Sequence, residues 1–341
     1  MKKQTGTDSK NGWGLVGTGR IAEDRVLPGI NAHAGNRLIG VVSRDQGRAD
    51  AFAAKFGARH ACTSYEDMLR NPDVTVVAIH TPNSQHAAQV IAAARAGKHV
   101  FCDKPMATTV ADAERMVREC EKAGVKLGMN FHNRFMPCFI DTRRIIAAGE
   151  IGEVQIVQVE ASPGARSGGR LATWRVDPAL SGLGTTYSIG VHVYDILRFL
   201  LASEITMVSA FFDTPRGVVE ETNLSTFRFA NGVLGQLSVH EKTPYPHNDF
   251  VVYGSKGRIL GRGLTRSRAG GELQVTTADG KTRTTEYPAT NAHAACVAAF
   301  SKALIDGRDP VPSGIDGLRS VQLTDAMARS AWDGVHVRLA S

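Results

Sequence analysis

Six residues constrain this chain more than any others. Gly17-Thr18-Gly19-Arg20-Ile21-Ala22 follows the short apolar run 13–16 and opens a helix-forming stretch. In a strand–turn–helix, the first glycine permits a tight turn. The second lets a pyrophosphate approach the backbone, and a small third residue, here Ala22, lets the helix pack on the strand. The exposed N–H groups at the helix start then favour phosphate. Such a motif is informative only at the head of a βαβ series, and the next hundred residues supply one. Runs 38–43, 74–79, 99–102 and 125–130 read as strands, the second of them rich in the β-branched residues of a buried parallel strand. They alternate with helical stretches at 47–56, 65–69, 85–95 and 110–122, joined by short connections. This order predicts a doubly wound parallel sheet.

The pattern then changes. A helix at 140–148 precedes a strand at 154–161, a Gly/Ser/Arg-rich loop at 162–173 and an apolar helix at 189–201. Strand signals follow at 206–213, 223–229, 233–240, 249–253, 258–260, 273–277 and 283–286. Asn231-Gly232 and Asp279-Gly280 mark hairpins, and helices at 292–306 and 315–332 close the chain. The expectation is an α/β Rossmann domain over 12–131, behind a frayed tail at 1–11, and an α+β domain with a mostly antiparallel sheet over 132–341. A length of 341 residues suits two domains.

Composition excludes several classes. With 43% hydrophobic and 21% charged residues the chain is an ordinary globular one. No apolar run reaches the roughly 18 residues of a membrane helix. Residues 1–11 carry two lysines but no apolar segment behind them, so they do not read as a secretory leader. The cysteines, at 62, 102, 120, 138 and 296, are odd in number and scattered. That suits reduced thiols in a cytoplasm rather than bridges or zinc. No His-Glu-x-x-His motif occurs, so no metal is expected. The net charge of +7 forms no basic stripe, which argues against nucleic acid.

The tip of the second strand bears on cofactor choice. A ribose 2′-hydroxyl calls for a carboxylate there, a 2′-phosphate for a hydroxyl or a cation. This strand ends in Ser43-Arg44, with Arg48 one turn on, and Asp45 is placed to cap the next helix. The reading is NADP(H) preferred, with NAD(H) the alternative if Arg44 only stacks on adenine.

Asp103-Lys104-Pro105 lies at the C-terminal end of the strand 99–102, the edge of an open α/β sheet where ligands bind. The proline keeps Lys104 out of helical geometry. An ammonium so presented can hydrogen-bond a substrate oxygen and stabilise developing alkoxide charge. Together with Gly17-Thr18-Gly19-Arg20-Ile21-Ala22, Thr81-Pro82-Asn83-Ser84 followed by His86, and Asn130-Phe131-His132-Asn133-Arg134-Phe135, this set resembles the glucose-fructose oxidoreductase / inositol dehydrogenase / MocA family. The resemblance runs through Ser313-Gly314-Ile315-Asp316-Gly317-Leu318 and so covers nearly the whole chain. Two segments, Gly254-Ser255-Lys256-Gly257-Arg258 and Asp195-Ile196-Leu197-Arg198-Phe199, narrow it further within the family.

The resemblance implies a second domain with a large open sheet, and hydride transfer between a nicotinamide and a carbonyl or secondary alcohol of a sugar, anhydrosugar or polyol. It implies cofactor contacts at Thr81, Pro82, Asn83, His86 and Asp103, with Asn83 near the nicotinamide ribose. Asp103 departs from the family's usual Glu-Lys-Pro. The family also places an acid, three residues and then a histidine after a glycine-rich run. Here His192 matches the histidine, and Ser188 occupies the acid's place. One helical turn apart, the two share a face. His192 is the natural proton carrier, but Ser188 cannot supply the negative charge that raises a neighbour's pKa. Tyr187 and Asp195 are the nearby candidates to compensate. For substrate binding the candidates are Arg134, Trp174, Arg175 and Asp195, an aromatic beside a guanidinium suiting a sugar face. Self-association through the second domain's sheet is one arrangement the resemblance implies. The missing acid leaves a second reading, a non-catalytic nucleotide-binding sensor of the same fold.

Overall fold

The fourth strand of the chain, Val76-Val77-Ala78-Ile79, is wholly apolar and buried, and the second ends in the buried run 38–42. The computed structural model describes residues 11–164, 173–265 and 270–339, which divide into two compact units. In the first, β1 (Asn11–Val16), β2 (Asn36–Val42), β3 (His60–Cys62), β4 (Val76–Ile79), β5 (His99–Cys102) and β6 (Leu127–Met129) form a sheet in the order β3-β2-β1-β4-β5-β6. Every pairing is parallel. The crossovers carry α1 (Leu27–Ala32), α2 (Gln46–Phe56), α3 (Tyr65–Arg70), α4 (His86–Arg95) and α5 (Val110–Lys122). Local chemistry sets their ends. Asp45 accepts from the Arg48 N–H at 2.7 Å and caps α2, as expected, and Ser64 caps α3 through the Asp67 N–H at 3.1 Å.

The second half holds α6 (Pro137–Ala147), β7 (Val154–Ala161), α7 (Pro178–Ser181), α8 (Val191–Leu201), β8 (Ile205–Phe212), β9 (Thr222–Phe229), β10 (Leu234–His240), β11 (Phe250–Gly254), β12 (Gly257–Arg262), β13 (Gly271–Thr276), β14 (Thr282–Tyr287), α9 (Ala292–Ile305), α10 (Gly314–Asp333) and β15 (Val337–Arg338). Its nine strands run β14-β13-β12-β11-β7-β10-β9-β8-β15. All neighbours are antiparallel except β7 and β10, which pair in parallel. The expected α/β and α+β combination, with a large and mostly antiparallel second sheet, is the fold the chain adopts. One face of that sheet carries the core, where Phe139, Val157, Val193, Leu197 and Phe250 pack together. The other face stays open, and β9 alternates buried and exposed residues along its length.

Three features differ from the sequence reading. The edge strands β3 and β15 are too short to show a pattern. Asn11 belongs to β1 rather than to the tail, whose residues 1–10 lie outside the described part. And α9, numbered with the second half, packs with the first unit. Its Phe300 ring lies 5.7 Å from Trp13 and 5.3 Å from Phe101, and the three aromatics bury one another.

Candidate active site

The first unit builds a dinucleotide cradle from the glycine turn. Gly17 has φ +97°, and a Cβ there would meet the His80 carbonyl oxygen at 2.4 Å, so only glycine fits. A Cβ on Gly19 would meet nothing within 4 Å, so that face of the turn is open to a phosphate. Arg20 is exposed beside it and Ile21 is half-buried. Thr18 is tied to the tip of β2 by Oγ1···Oγ contact with Ser43 at 3.1 Å. Arg48 donates to Thr18 Oγ1 at 2.8 Å and to the Thr18 carbonyl at 2.5 Å. Its guanidinium thus braces the turn from beside it. Arg44 is exposed at the tip of β2. The turn therefore fits a dinucleotide.

After β5 the backbone of Asp103-Lys104-Pro105, with a cis Lys104–Pro105 bond, is held at several points. Asp103 N–H donates to the Ile79 carbonyl at 3.0 Å. The Asp103 carboxylate accepts the Lys104 N–H at 2.9 Å and Asn130 Nδ2 at 3.2 Å, and its other oxygen lies 3.3 Å from His80 Nδ1. Asn130 Oδ1 lies in turn 3.1 Å from His293 Nδ1. Burial alone would push the Asp103 carboxyl up. The hydrogen bond and charge of His80 and the charge of Lys104 outweigh it and hold Asp103 well below the usual carboxylate range. His86 spans the loops on either side, with Nδ1 2.8 Å from the Pro105 carbonyl and Nε2 3.1 Å from that of Thr81. Burial pushes this imidazole down. Asp103 and His86 therefore shape the loop that carries Lys104. Thr81 donates to Gln89 at 2.6 Å, Pro82 is half-buried, and Asn83 is buried. His80, Asn130 and His293 were not singled out from the sequence as site residues, because only the fold brings them to Asp103.

In the second unit the chain enters α8 through a wide π-helical turn, Thr186–Gly190. Glu220 fixes its start by accepting the N–H groups of Gly184 and Thr186, both at 2.8 Å. Burial pushes the Glu220 carboxyl up, against those two bonds. Asn223 of β9 donates to Thr186 Oγ1 at 3.0 Å and to the Tyr194 hydroxyl at 2.9 Å. His192 emerges in the first turn of α8 with its ring centroid 4.6 Å from that of His132, edge to face. Ser188 Oγ donates to Glu241 Oε1 at 3.1 Å.

Neither expected compensator for the missing acid is placed for that task. Tyr187 is buried, its hydroxyl donates to the Thr108 carbonyl at 3.2 Å, and burial pushes its phenol above the ordinary range. Asp195 is buried and accepts Arg134 Nε and Nη2 at 2.7 and 2.5 Å, so both its oxygens face a guanidinium. Asp195 and Arg134, both expected as substrate contacts, are thus joined in a buried ion pair. Arg175 lies over the Trp174 ring, 4.6 Å from its centroid. The adjoining loop residues 165–172 fall outside the described part. Among the described residues no three His, Cys, Asp or Glu side chains gather as metal ligands, and no helix is long and apolar enough to cross a membrane.

Known proteins share this arrangement. Residues 12–131 match an oxidoreductase family with an NAD-binding Rossmann fold, and residues 139–260 match the GFO/IDH/MocA C-terminal domain. A 1,5-anhydro-D-fructose reductase of Ensifer adhaerens is 32% identical over 327 residues, spanning 95% of this chain and 97% of that protein. The chain belongs to the Gfo/Idh/MocA family. An inositol 2-dehydrogenase of Rhizobium meliloti is 30% identical over 347 residues, spanning 96% of this chain and 99% of its own. The crystal structure of an aldose-aldose oxidoreductase from Caulobacter crescentus, complexed with glycerol, superposes with a TM-score of 0.88 at 29% identity. It covers 97% of this chain and 100% of its own. As a Gfo/Idh/MocA member the chain is an NAD(P)-dependent oxidoreductase.

Proposed function

We propose that this enzyme interconverts a carbonyl and a secondary alcohol on a sugar, anhydrosugar or polyol, with Lys104 holding the reacting oxygen and His192 carrying its proton. The supporting observation is the Asp103-Lys104-Pro105 loop, fixed on Ile79, Asn130 and His86 at the C-terminal edge of the parallel sheet. The bound nicotinamide supplies or accepts the hydride. Lys104 donates to the substrate oxygen and stabilises the charge that develops there. In reduction His192 gives its proton to that oxygen, and in oxidation it takes the proton away. Trp174 and Arg175 form the substrate-facing aromatic and cation pair. The named activities of the relatives above, on an anhydrofructose, an inositol and aldoses, favour a carbohydrate-like substrate.

NADP(H) is the preferred cofactor in this reading. The Asp45 carboxylate is committed to capping α2, whereas Ser43 and the exposed Arg44 stand at the tip of β2. Following nicotinamide absorbance for NADPH and NADH against sugar ketones, osones and inositols tests both parts. NADPH should support the faster reduction of at least one sugar ketone. Arg44→Ala should weaken NADPH binding by about 1.5–3 kcal/mol, the value of a hydrogen bond to a charged group, and leave NADH binding nearly unchanged. Equal loss for both cofactors points to adenine stacking, and no turnover of any member of the panel overturns the substrate class.

The open face of the second sheet supports self-association. Ile156 is flanked in register by Tyr253 and Leu234, and Phe211 lies opposite Leu224, all five exposed. Apolar residues side by side on a pleated face suit a second copy of the chain. Light scattering at micromolar concentration should report a dimer or larger, and Phe211→Glu should shift it toward monomer. A monomeric wild type overturns this part. A reducing, cytoplasmic setting accords with five cysteines of which none is joined in a disulfide.

A further inference from the structure

We propose that Glu241 supplies the carboxylate that the second catalytic segment lacks, presented through the hydroxyl of Ser188, and acts as a positioning residue for His192. This deepens the reading above and rests on His192 as proton carrier.

Residue 241 follows directly on β10 and continues its ladder, its N–H donating to the Glu221 carbonyl at 2.9 Å. Side chains alternate along a strand, and Leu237 and Val239 are fully buried in the core. Two residues further on, Glu241 therefore points to the same, helix-covered face. Nothing in that apolar series asks for an acid. The partner that receives it is Ser188, whose Oγ donates to Glu241 Oε1 at 3.1 Å. Ser188 lies one turn before His192 in the helical entry, so a carboxylate bound to its hydroxyl lies on the side of the helix that carries His192. Where the family builds the acid into the helix, this chain brings it from β10 and joins it by one hydrogen bond.

The other ionisable groups around the turn serve other partners. Glu220 accepts the N–H groups of Gly184 and Thr186. Asp195 faces Arg134, His240 contacts Glu160, and Lys242 pairs with Asp213 and Glu221. Tyr187 is buried against Thr108, and Tyr194 against Asn223. His132 is the second imidazole, edge-on to His192. Glu241 is thus the acid that the structure joins to Ser188. Proton balance is simple. His192 as imidazolium gives its proton to the substrate oxygen, becomes neutral and regains a proton from water. Glu241 takes no proton in this scheme; its place is to favour the imidazolium form.

Glu241→Gln is the decisive variant, since an amide oxygen can still accept from Ser188 and keep the fold. A positioned general acid contributes roughly 10²–10⁴-fold, and losing a carboxylate that favours its protonated form is expected to remove part of this, about 10–100-fold. The expected result is a loss of that size in kcat with little change in KM. Reduction needs protonated His192, so its rate falls as pH rises through the histidine pKa. Removing a negative charge lowers that pKa, and the limb of log(kcat/KM) should move to lower pH. The His192 titration midpoint, read by NMR on the protein without nucleotide, should move the same way. Ser188→Asp added to Glu241→Gln should restore most of kcat and return both midpoints. Unmoved midpoints in Glu241→Gln, or no recovery in the double variant, overturn the proposal and leave the bond a loop fastening. His192→Ala separates the two levels. If it keeps the rate and the pH limb, the proton-carrier reading itself fails. If it loses both while Glu241→Gln is silent, only the role of Glu241 fails.

Discussion

Lys104→Ala is expected to lower turnover by at least about a hundredfold while the dinucleotide still binds. Removing one preorganised donor to a developing oxyanion costs about 10²–10³ in rate, because the compensating charge is lost where water does not replace it. The size of the effect depends on how firmly the donor is held, and here the holding is visible. The Asp103 carboxylate receives the Lys104 N–H, the Asp103 N–H is paired with β4, and the Pro105 carbonyl meets His86. The ammonium thus starts from a backbone with little freedom. In the proposed reading phosphate binding rests on other atoms, the N–H groups of the Gly17 turn and the open space at Gly19. Single-turnover rates and fluorescence titration of the nicotinamide separate the two quantities. Lys104→Arg should recover only part of the rate, since a planar fork does not reproduce a compact ammonium on the same stem. Turnover unchanged in Lys104→Ala removes the assignment.

The parts of this molecule that local sequence encodes were the parts that could be read. The strand at 154–161 is observed with the same bounds, and the helix breaks at Gly97 and before Pro72 fall where backbone chemistry requires. Gly17 was legible because only a residue without Cβ tolerates φ +97° against the His80 carbonyl. Long-range pairing was not legible. Nothing in residues 154–161 announces that β7 sits between β11 and β10 and pairs with β10 in parallel, because register emerges from packing of the whole sheet. The same limit applies to the site. Lys104, Ser188 and His192 lie in motifs whose residues are close in sequence. Glu241 reaches Ser188 across 53 positions, and His293 reaches Asn130 across 163. Their signal was an acid one step past a strand whose alternate residues are buried, and a histidine in the first turn of a largely apolar helix. Arg48 and Asp195 show a further limit: their hydrogen bonds to Thr18 and Arg134, which hold the turn and the helix of the two motifs, join residues 30 and 61 positions apart.

Asp195→Ala is expected to destabilise the second unit by about 3–5 kcal/mol, the cost of leaving a buried charge without its counter-ion. Asp195 is buried, and Arg134 offers it two hydrogen bonds while keeping only 9% of its own side chain exposed. Arg198 also lies 3.9 Å from Asp195, but it is a second cation, paired with Glu204, and so offers Arg134 no replacement counter-ion. The surrounding Phe199 ring lies 5.7 Å from the Arg134 guanidinium and offers attraction without neutralising it. Urea unfolding followed by intrinsic fluorescence measures the loss. Replacing both partners, as Arg134→Met with Asp195→Leu, should recover much of it, because an apolar pair of similar volume incurs no desolvation of charge. This pattern separates an internal strut from a substrate contact. A contact would raise KM in Asp195→Ala with stability intact, and the double variant would not help. A strut loses stability first, and activity follows because Asp195 stands one turn after His192 on α8. Arg134 reaches α8 from the turn His132–Phe135, which also carries His132 against His192. One buried ion pair therefore sets the position of the helix and of the imidazole that meets His192. A stable Asp195→Ala protein with a raised KM would return both residues to the substrate-binding set.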